Sequence, residues 1–449
     1  MSFPRYAKYK ASGVEWLGDV PEHWAVAPLG YRYEVQLGRM LNEERATGEN
    51  PRPYLRVFDV QWNCINTTDL PTMDFPPEAQ VRYRLQAGDL MVNEGGSYVG
   101  RSAIWRGEIE ECYYQKALHR IRPFNQSQDS SEFLLYVMEM ATRLGVFVAG
   151  GNQTTIDHLT AEQLRAYRFS FPPAPEQRQT AAFLDRETSK IDALVAEQER
   201  LIALLKEKRQ AVISHAVTKG LDPNAPMKDS GVEWLGDVPA HWEVTSVRRI
   251  SKSVNTGGTP SNEPASEDIE GGLPWYTPGD FDGGLQLRSA RKSVSLECVA
   301  SGEAKIFPGG SVLIVGIGAT LGKVGWIEIP SAANQQINAI VPDEKIDGRF
   351  LAYSLSVKAH FMKYLSNAST IGIMNQEKTK EIPVIVPPQR EQADIVDHLA
   401  SQMSRFDTLA AEAERAITLL QERRSALISA AVTGKIDVRG LDTADAEAA

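Results

Sequence analysis

Two long stretches of the chain share one spacing of apolar positions. Leu184, Ile191, Leu194, Leu201, Leu205 and Val212 fall on the a and d places of a seven-residue repeat. Leu399, Phe406, Leu409, Ala416, Leu420 and Leu427 repeat that pattern 215 residues later. The heads are Pro172-Pro173 and Pro387-Pro388, and from Glu176 and Gln389 onward neither glycine nor proline interrupts for over 40 residues. Proline stops a helix and seven-residue spacing gives it one narrow apolar seam, so each stretch predicts a long helix seeking a partner helix. At 1.5 Å per residue, a helix of about 44 residues is roughly 66 Å long. The natural partner is the other copy, which predicts an antiparallel pair acting as a spacer. Ordinary bundle helices would carry either stretch alone equally well.

Outside these helices the pattern changes. Short runs of Val, Ile, Tyr and Trp lie between Gly and Pro, which argues for strand-rich, mixed α/β blocks. AGDLMVNEGGSYVGRSAIW (Ala87–Trp105) aligns with GGSVLIVGIGATLGKVGWI (Gly309–Ile327), and YQKALHRIRP at Tyr114 sits where NQQINAIVP at Asn334 sits. NQTTIDHLTAEQL (Asn152–Leu164) aligns with NASTIGIMNQEKT (Asn367–Thr379). The decapeptide SGVEWLGDVP stands at Ser12–Pro21 and again at Ser230–Pro239, leading each time into His-Trp. The chain is therefore a tandem repeat of block and helix, with a marked joint before each block. The expected domains are a first globular block at 1–171, a first spacer helix at 172–220, a second block at 221–386, a second spacer helix at 387–436 and an acidic tail at 437–449. Read as a circle, the joint at Ser12 follows the second helix, so the residues from Gly434 onward belong beside the N-terminus. The expected fold class is α/β (α+β), with circular pseudo-two-fold organisation.

Length, 449 residues, exceeds what one core serves. No apolar run approaches the roughly 18–20 residues of a membrane span, and MSFPRYAKYKASG lacks the apolar centre of a signal peptide. The 3 cysteines show no CxxC spacing, which indicates neither zinc nor a disulfide framework and fits a reducing cytoplasm. A net charge of −10 counts against nucleic-acid binding in bulk, yet Lys116, Arg120 and Arg122 cluster.

Motifs for chemistry fail on spacing. GATLGKV (Gly318–Val324) is one residue short of a phosphate loop, with Val324 where a magnesium-binding hydroxyl belongs. No HExxH exists, GGSYV is not a nucleophile elbow, and there is no Asn/Asp-Pro-Pro-aromatic tetrapeptide. His23 and His241, each beside tryptophan, read as packed groups. What remains suits recognition. The first block offers Arg101, Lys116, His119, Arg120, Arg122 and Thr154. The second offers Thr256, Gly257, Thr259, Ser261, Asn262, Lys323, Asn334, Gln335, Asn338, Ser369 and Thr370. Arginine and lysine suit guanine and phosphate, amides suit adenine, and hydroxyls on glycine-rich loops suit phosphate. Each alone fits a solvated surface too, and the glycines suit a turn. Equivalent loops of two blocks together favour nucleic acid.

Two variable blocks, each opened by SGVEWLGDVPxHW and closed by a helix headed PAPEQ or PQREQ, resemble the specificity subunit of a type I restriction–modification system. The helix tails AVTKG and AVTGK, GGTPS with PWYTPGDF, and YYQKALHRIRP carry the resemblance further. The resemblance implies a non-catalytic subunit whose blocks each read half of a split double-stranded DNA target. It also implies that the helices set the spacing and dock two methylation subunits for adenine methylation. Motor–nuclease subunits complete the restriction complex, with S-adenosylmethionine, ATP and magnesium on those partners and none on this chain. The competing readings are a stand-alone DNA-modifying enzyme, against which the missing motifs speak, and a general coiled-coil scaffold.

Overall fold

The computed structural model describes residues 3–40, 48–147, 158–233, 235–260, 265–266, 269–282, 284–366 and 372–441. It divides into two compact units: Met1–Gln198 with Arg415–Ala449, and Glu199–Glu414. The long helices span Ala174–Lys219 and Gln389–Val432, and each gives one part to each unit. Among the described residues no helix is long and apolar enough to cross a membrane.

The first unit centres on a four-stranded sheet of β1 (Tyr33–Leu37), β2 (Leu90–Asn93), β3 (Ser102–Ile104) and β4 (Leu118–Pro123), ordered β3-β2-β4-β1 and antiparallel throughout. Side chains alternate between the faces of a strand. Leu90 and Val92 accordingly pack with helix Ser131–Arg143, while Met91, Ala103 and Leu118 pack with Leu55 and Trp105 beneath a smaller sheet. Burial on both faces is why β2 reads as an uninterrupted apolar run rather than an alternating one.

The second unit repeats this plan with β5 (Ser251–Thr256), β6 (Val312–Val315), β7 (Val324–Trp326) and β8 (Ile337–Pro342), ordered β7-β6-β8-β5. Val312 and Ile314 pack with helix Gly348–Ser356, while Leu313 and Val315 face Tyr276, Phe281 and Phe307.

Over their described residues, which leave out 234, the two copies of the decapeptide fold alike. Ser12 N donates to Gly18 O at 3.1 Å and Ser230 N to Gly236 O at 3.2 Å, closing a turn between short paired strands. Gly13, Gly18, Gly231 and Gly236 all have φ between +61° and +71° with open space around them, so backbone conformation demands glycine there. The following tryptophans, Trp24 and Trp242, are fully buried. Their indole Nε1–H groups donate to Glu176 at 2.8 Å and Glu391 at 2.9 Å, the glutamates of PAPEQ and PQREQ. The neighbouring glutamines also match: Gln177 accepts from Ser130 N at 2.9 Å and Gln392 from Asp347 N at 2.7 Å, each at the head of the block's helix. Joint, block and long helix are thus tied by one recurrent set of bonds.

The end of the second long helix closes on the first joint. Tyr9 Oη–H donates to Gly434 O at 3.0 Å and Asp437 N to Pro4 O at 2.8 Å. Gly434 presses on Pro21 and Trp24 as Gly220 presses on Pro239 and Trp242. Of the acidic tail, 442–449 lies outside the described residues.

The expected seam is buried only in part. In the first unit Leu184, Ile191 and Leu427 are buried; in the second, Leu205, Leu399 and Phe406 are. Leu194, Leu201 and Leu409 stand 47%, 39% and 45% exposed. The buried positions belong to cores that also hold block residues, whereas Leu194, Leu201 and Leu409 join none of the cores among the described residues. Burial near the end of the first long helix runs instead through Ile213, Ala216 and Val217.

Charge adds to the packing of the first unit. Arg424 binds Glu139, which is 4% exposed, and reaches Asp192 at 3.0 Å. Glu139 also accepts from Arg143 Nε at 3.1 Å, so loss of Arg424 leaves the carboxylate one guanidinium. Arg424→Ala should therefore lower the first unit's stability by about 1.5 kcal/mol in urea titration. A shift below about 0.5 kcal/mol would mean that Arg143 alone holds the carboxylate.

Candidate nucleic-acid interface

At one end of each four-stranded sheet, five chain segments meet. In the first unit β1 runs into Gly38-Arg39, β2 into Glu94-Gly95, Arg101 leads into β3, Gln115-Lys116-Ala117 leads into β4, and a returning segment crosses at His158-Leu159. Gly38 N donates to Leu118 O at 2.9 Å, Arg39 N to Tyr114 O at 3.1 Å, Glu94 N to Ala117 O at 2.9 Å and Leu159 N to Glu94 O at 2.6 Å. The second unit repeats every one of these bonds. Gly257 N donates to Ile337 O at 3.0 Å, Gly258 N to Ala333 O at 2.8 Å, Gly316 N to Gln336 O at 2.7 Å and Met374 N to Gly316 O at 2.8 Å. The register makes Lys116 equivalent to Gln335, Arg101 to Lys323 and His119 to Asn338.

The crossing of the first and fourth segments explains its glycines. A Cβ on Gly38 would stand 2.2 Å from Gln115 O, and one on Gly257 2.1 Å from Ala333 O. Backbone cannot yield as a side chain can, so these positions are closed to larger residues. The glycine read at 257 as a DNA contact acts as a spacer between two backbones.

The exposed chemistry differs between the units. In the first, Lys116 is exposed at the loop tip. Arg101 donates to Gln61 and stacks over Tyr98, its Cζ 4.6 Å from the ring centroid. In the second, Thr259 donates to the exposed Gln335. Thr256 accepts from Gln376 at 3.0 Å, and Lys323 donates to Phe281 O at 2.7 Å. Cations thus dominate one cluster, amides and hydroxyls the other.

Several residues read as DNA contacts are occupied inside the fold instead. His119 is fully buried, and its Nε2–H donates to Leu159 O at 2.6 Å. Burial holds its imidazole below the usual range, hence neutral. Arg120 is 3% exposed and bonded to Glu34 at 2.6 Å. Arg122 grips buried Asp89 with two bonds, 2.6 and 2.7 Å, and those bonds raise its already high pKa. Asn334 shapes the loop by accepting from Gln336 N at 3.0 Å, and Asn338 is buried in the sheet end. A strand sandwiched between two layers has no wet face, so its charges must pair internally. Thr154, Ser261, Asn262, Ser369 and Thr370 lie outside the described residues.

The structure adds groups that sequence reasoning missed: Gly38, Arg39, Gln61, Tyr98 and Gln376. Arg39 lies over Phe75 with a buried Nε that has no hydrogen-bond partner among the described residues. Its only hint in the sequence was the single glycine shared by QLGRM and NTGGT. Among the described residues no group of three or more His, Cys, Asp and Glu side chains converges as metal ligands would.

Comparison with known proteins agrees with this two-unit plan. The sequence profile of the type I restriction modification DNA specificity domain matches residues 21–202 and again 239–418. The chain is 23% identical over 432 residues to the putative type I restriction enzyme MjaX specificity subunit of Methanocaldococcus jannaschii, covering 94% of this chain and 96% of that one. It is 22% identical over 440 residues to the StySPI specificity subunit of Salmonella potsdam, covering 93% and 90%. Its fold is similar to that of a chain solved in work on complex assembly and conformational transition of the type I R-M system, at a TM-score of 0.73 with 16% identity and coverage of 92% and 98%. It is also similar to the HsdS subunit of Thermoanaerobacter tengcongensis, at a TM-score of 0.55 with 16% identity and coverage of 93% and 98%. With two copies of that domain across most of its length, the chain belongs to the type I restriction modification DNA specificity family.

Proposed function

We propose that this chain is the non-catalytic DNA-recognition subunit of a type I restriction–modification complex, in which each unit reads one half of a bipartite double-stranded target. One observation carries the reading: the two units present one backbone frame at the same end of the sheet but arm it differently, Lys116 against Gln335 and Arg101 against Lys323. A shared frame with unlike side chains is what reading two unlike half-sites through the major groove needs. The recognition domains are 1–171 and 221–386, and the long helices form an antiparallel coiled coil that fixes the gap between half-sites. An internally two-fold chain offers the same docking surface twice, which suits two methylation subunits. Motor–nuclease subunits join for restriction. The partners carry S-adenosylmethionine, ATP and magnesium, and the complex works in the cytoplasm.

Binding selection from random duplexes by the complex with its methylation subunit tests this. A bipartite consensus is expected; recovery without sequence preference would overturn the reading. Within the same assay, Lys116→Ala should weaken binding and relax base preference in the first half-site alone, by about 1–3 kcal/mol. A uniform loss across sequences, with the slope of log affinity against log salt lowered by about 1, would make Lys116 a phosphate contact instead.

A further inference from the structure

The returning segment is held at its crossing by a buried polar side chain in each unit. His119 Nε2–H donates to Leu159 O at 2.6 Å, and Asn338 Nδ2–H donates to Met374 O, also at 2.6 Å. His119 and Asn338 stand at the same register position, while Leu159 and Met374 are each 1% exposed. No solvent can replace the lost donor at such a carbonyl. The segments are also stitched by backbone: Gly95 bridges His158 in one unit and Ile317 bridges Ile373 in the other. Asn338 further accepts from Thr256 at 2.8 Å, extending the pin to the end of β5. Two unlike residues thus make the same contact at one register position.

We propose that His119 and Asn338 are positioning residues for half-site reading. Each pins the carbonyl of the returning segment to the central strand and so fixes how the loop cluster meets DNA, without touching DNA itself. The proposal rests on the DNA-reading role above. Leucine at 119 fills the space but removes the donor, whereas the glutamine amide nitrogen sits where Nε2 does.

The experiment uses the complex of the full chain with its methylation subunit and duplexes altered in one half-site at a time. His119→Leu should lower affinity through the half-site read by the first unit by roughly tenfold or more and relax its base preference. Reading of the other half should stay unchanged. His119→Gln should restore binding to within about threefold of the parent, less than the effect of one ordinary hydrogen bond. Asn338→Leu should show the mirror result on the second half-site. Amide exchange at Leu159 and Met374 runs alongside: faster exchange confined to the altered unit is expected. If His119→Leu fails to fold, Asn338→Leu and His119→Gln still decide. Equal reading of both half-sites by all three variants would overturn the proposal while leaving DNA recognition intact. A parent complex with no bipartite preference would overturn the recognition reading itself.

Discussion

Replacing Glu176 by alanine is expected to cost the first unit about 3–5 kcal/mol, the largest stability effect of any single change discussed for this chain. Its side chain is 6% exposed and accepts from Trp24 Nε1 at 2.8 Å, His23 Nε2 at 2.9 Å and the Tyr6 hydroxyl. Truncation leaves three donors, two of them deeply buried, facing an apolar methyl. The second unit supplies the control. Glu391 is 40% exposed and, among the described residues, accepts from His241 at 2.7 Å and Trp242 at 2.9 Å, and Asn224 takes the place of Tyr6 in the repeat. Water can stand in for that carboxylate, so Glu391→Ala should cost about 1 kcal/mol. Indole proton exchange of Trp24 and Trp242 under native conditions measures the two separately. Equal losses at both tryptophans would show that burial is not what makes the first clamp strong.

Gly257→Val should remove reading of the second half-site, with a loss of a hundredfold or more, about 3 kcal/mol. The added Cβ would meet Ala333 O at 2.1 Å and Asn334 O at 2.4 Å, both backbone, so the loop bearing Gln335 must move. The φ of Gly257 lies outside the left-handed region, which makes the effect one of space and not of strain. Gly38→Val, against Gln115 O at 2.2 Å, should do the same to the first half-site. Gly284→Ala, whose nearest neighbours lie at 3.8 Å, should leave both intact. Half-site-specific competition binding checks all three. Undiminished binding by Gly257→Val would show that this loop cluster does not face the DNA.

Much of the architecture was legible because it depends on local rules. Proline before and glycine after an unbroken run defined the long helices to within a few residues of Ala174–Lys219 and Gln389–Val432. Identical decapeptides announced identical joints, since left-handed glycines at fixed spacing admit few turns. The place of Gly434 beside the first joint also followed from reading the repeat as a circle.

The site was legible as loops but not as side chains. The pairing of Gly100-Arg101 with Gly322-Lys323 was visible in the sequence, and the bonds of Asn93 N to Arg101 O and Val315 N to Lys323 O place them alike, each at 2.9 Å. The arginines of HRIRP looked equally free. Their partners stand far off in sequence: Glu34 for Arg120, 86 residues away, and Asp89 for Arg122, 33 residues away. Whether β4 keeps any wet face depends on what the chain lays over it, and no local pattern encodes that.

The sequence by itself determined the repeat, the lengths of the helices, the joints and the absence of known catalytic spacings, because each is written in neighbours a few residues apart. Tertiary structure alone decided which charges are spent inside and which are presented. It also decided that Gly38 and Gly257 separate backbones, and that His119 and Asn338 share one task. Those outcomes depend on contacts across tens to hundreds of residues, where burial sets the cost of every unpaired group.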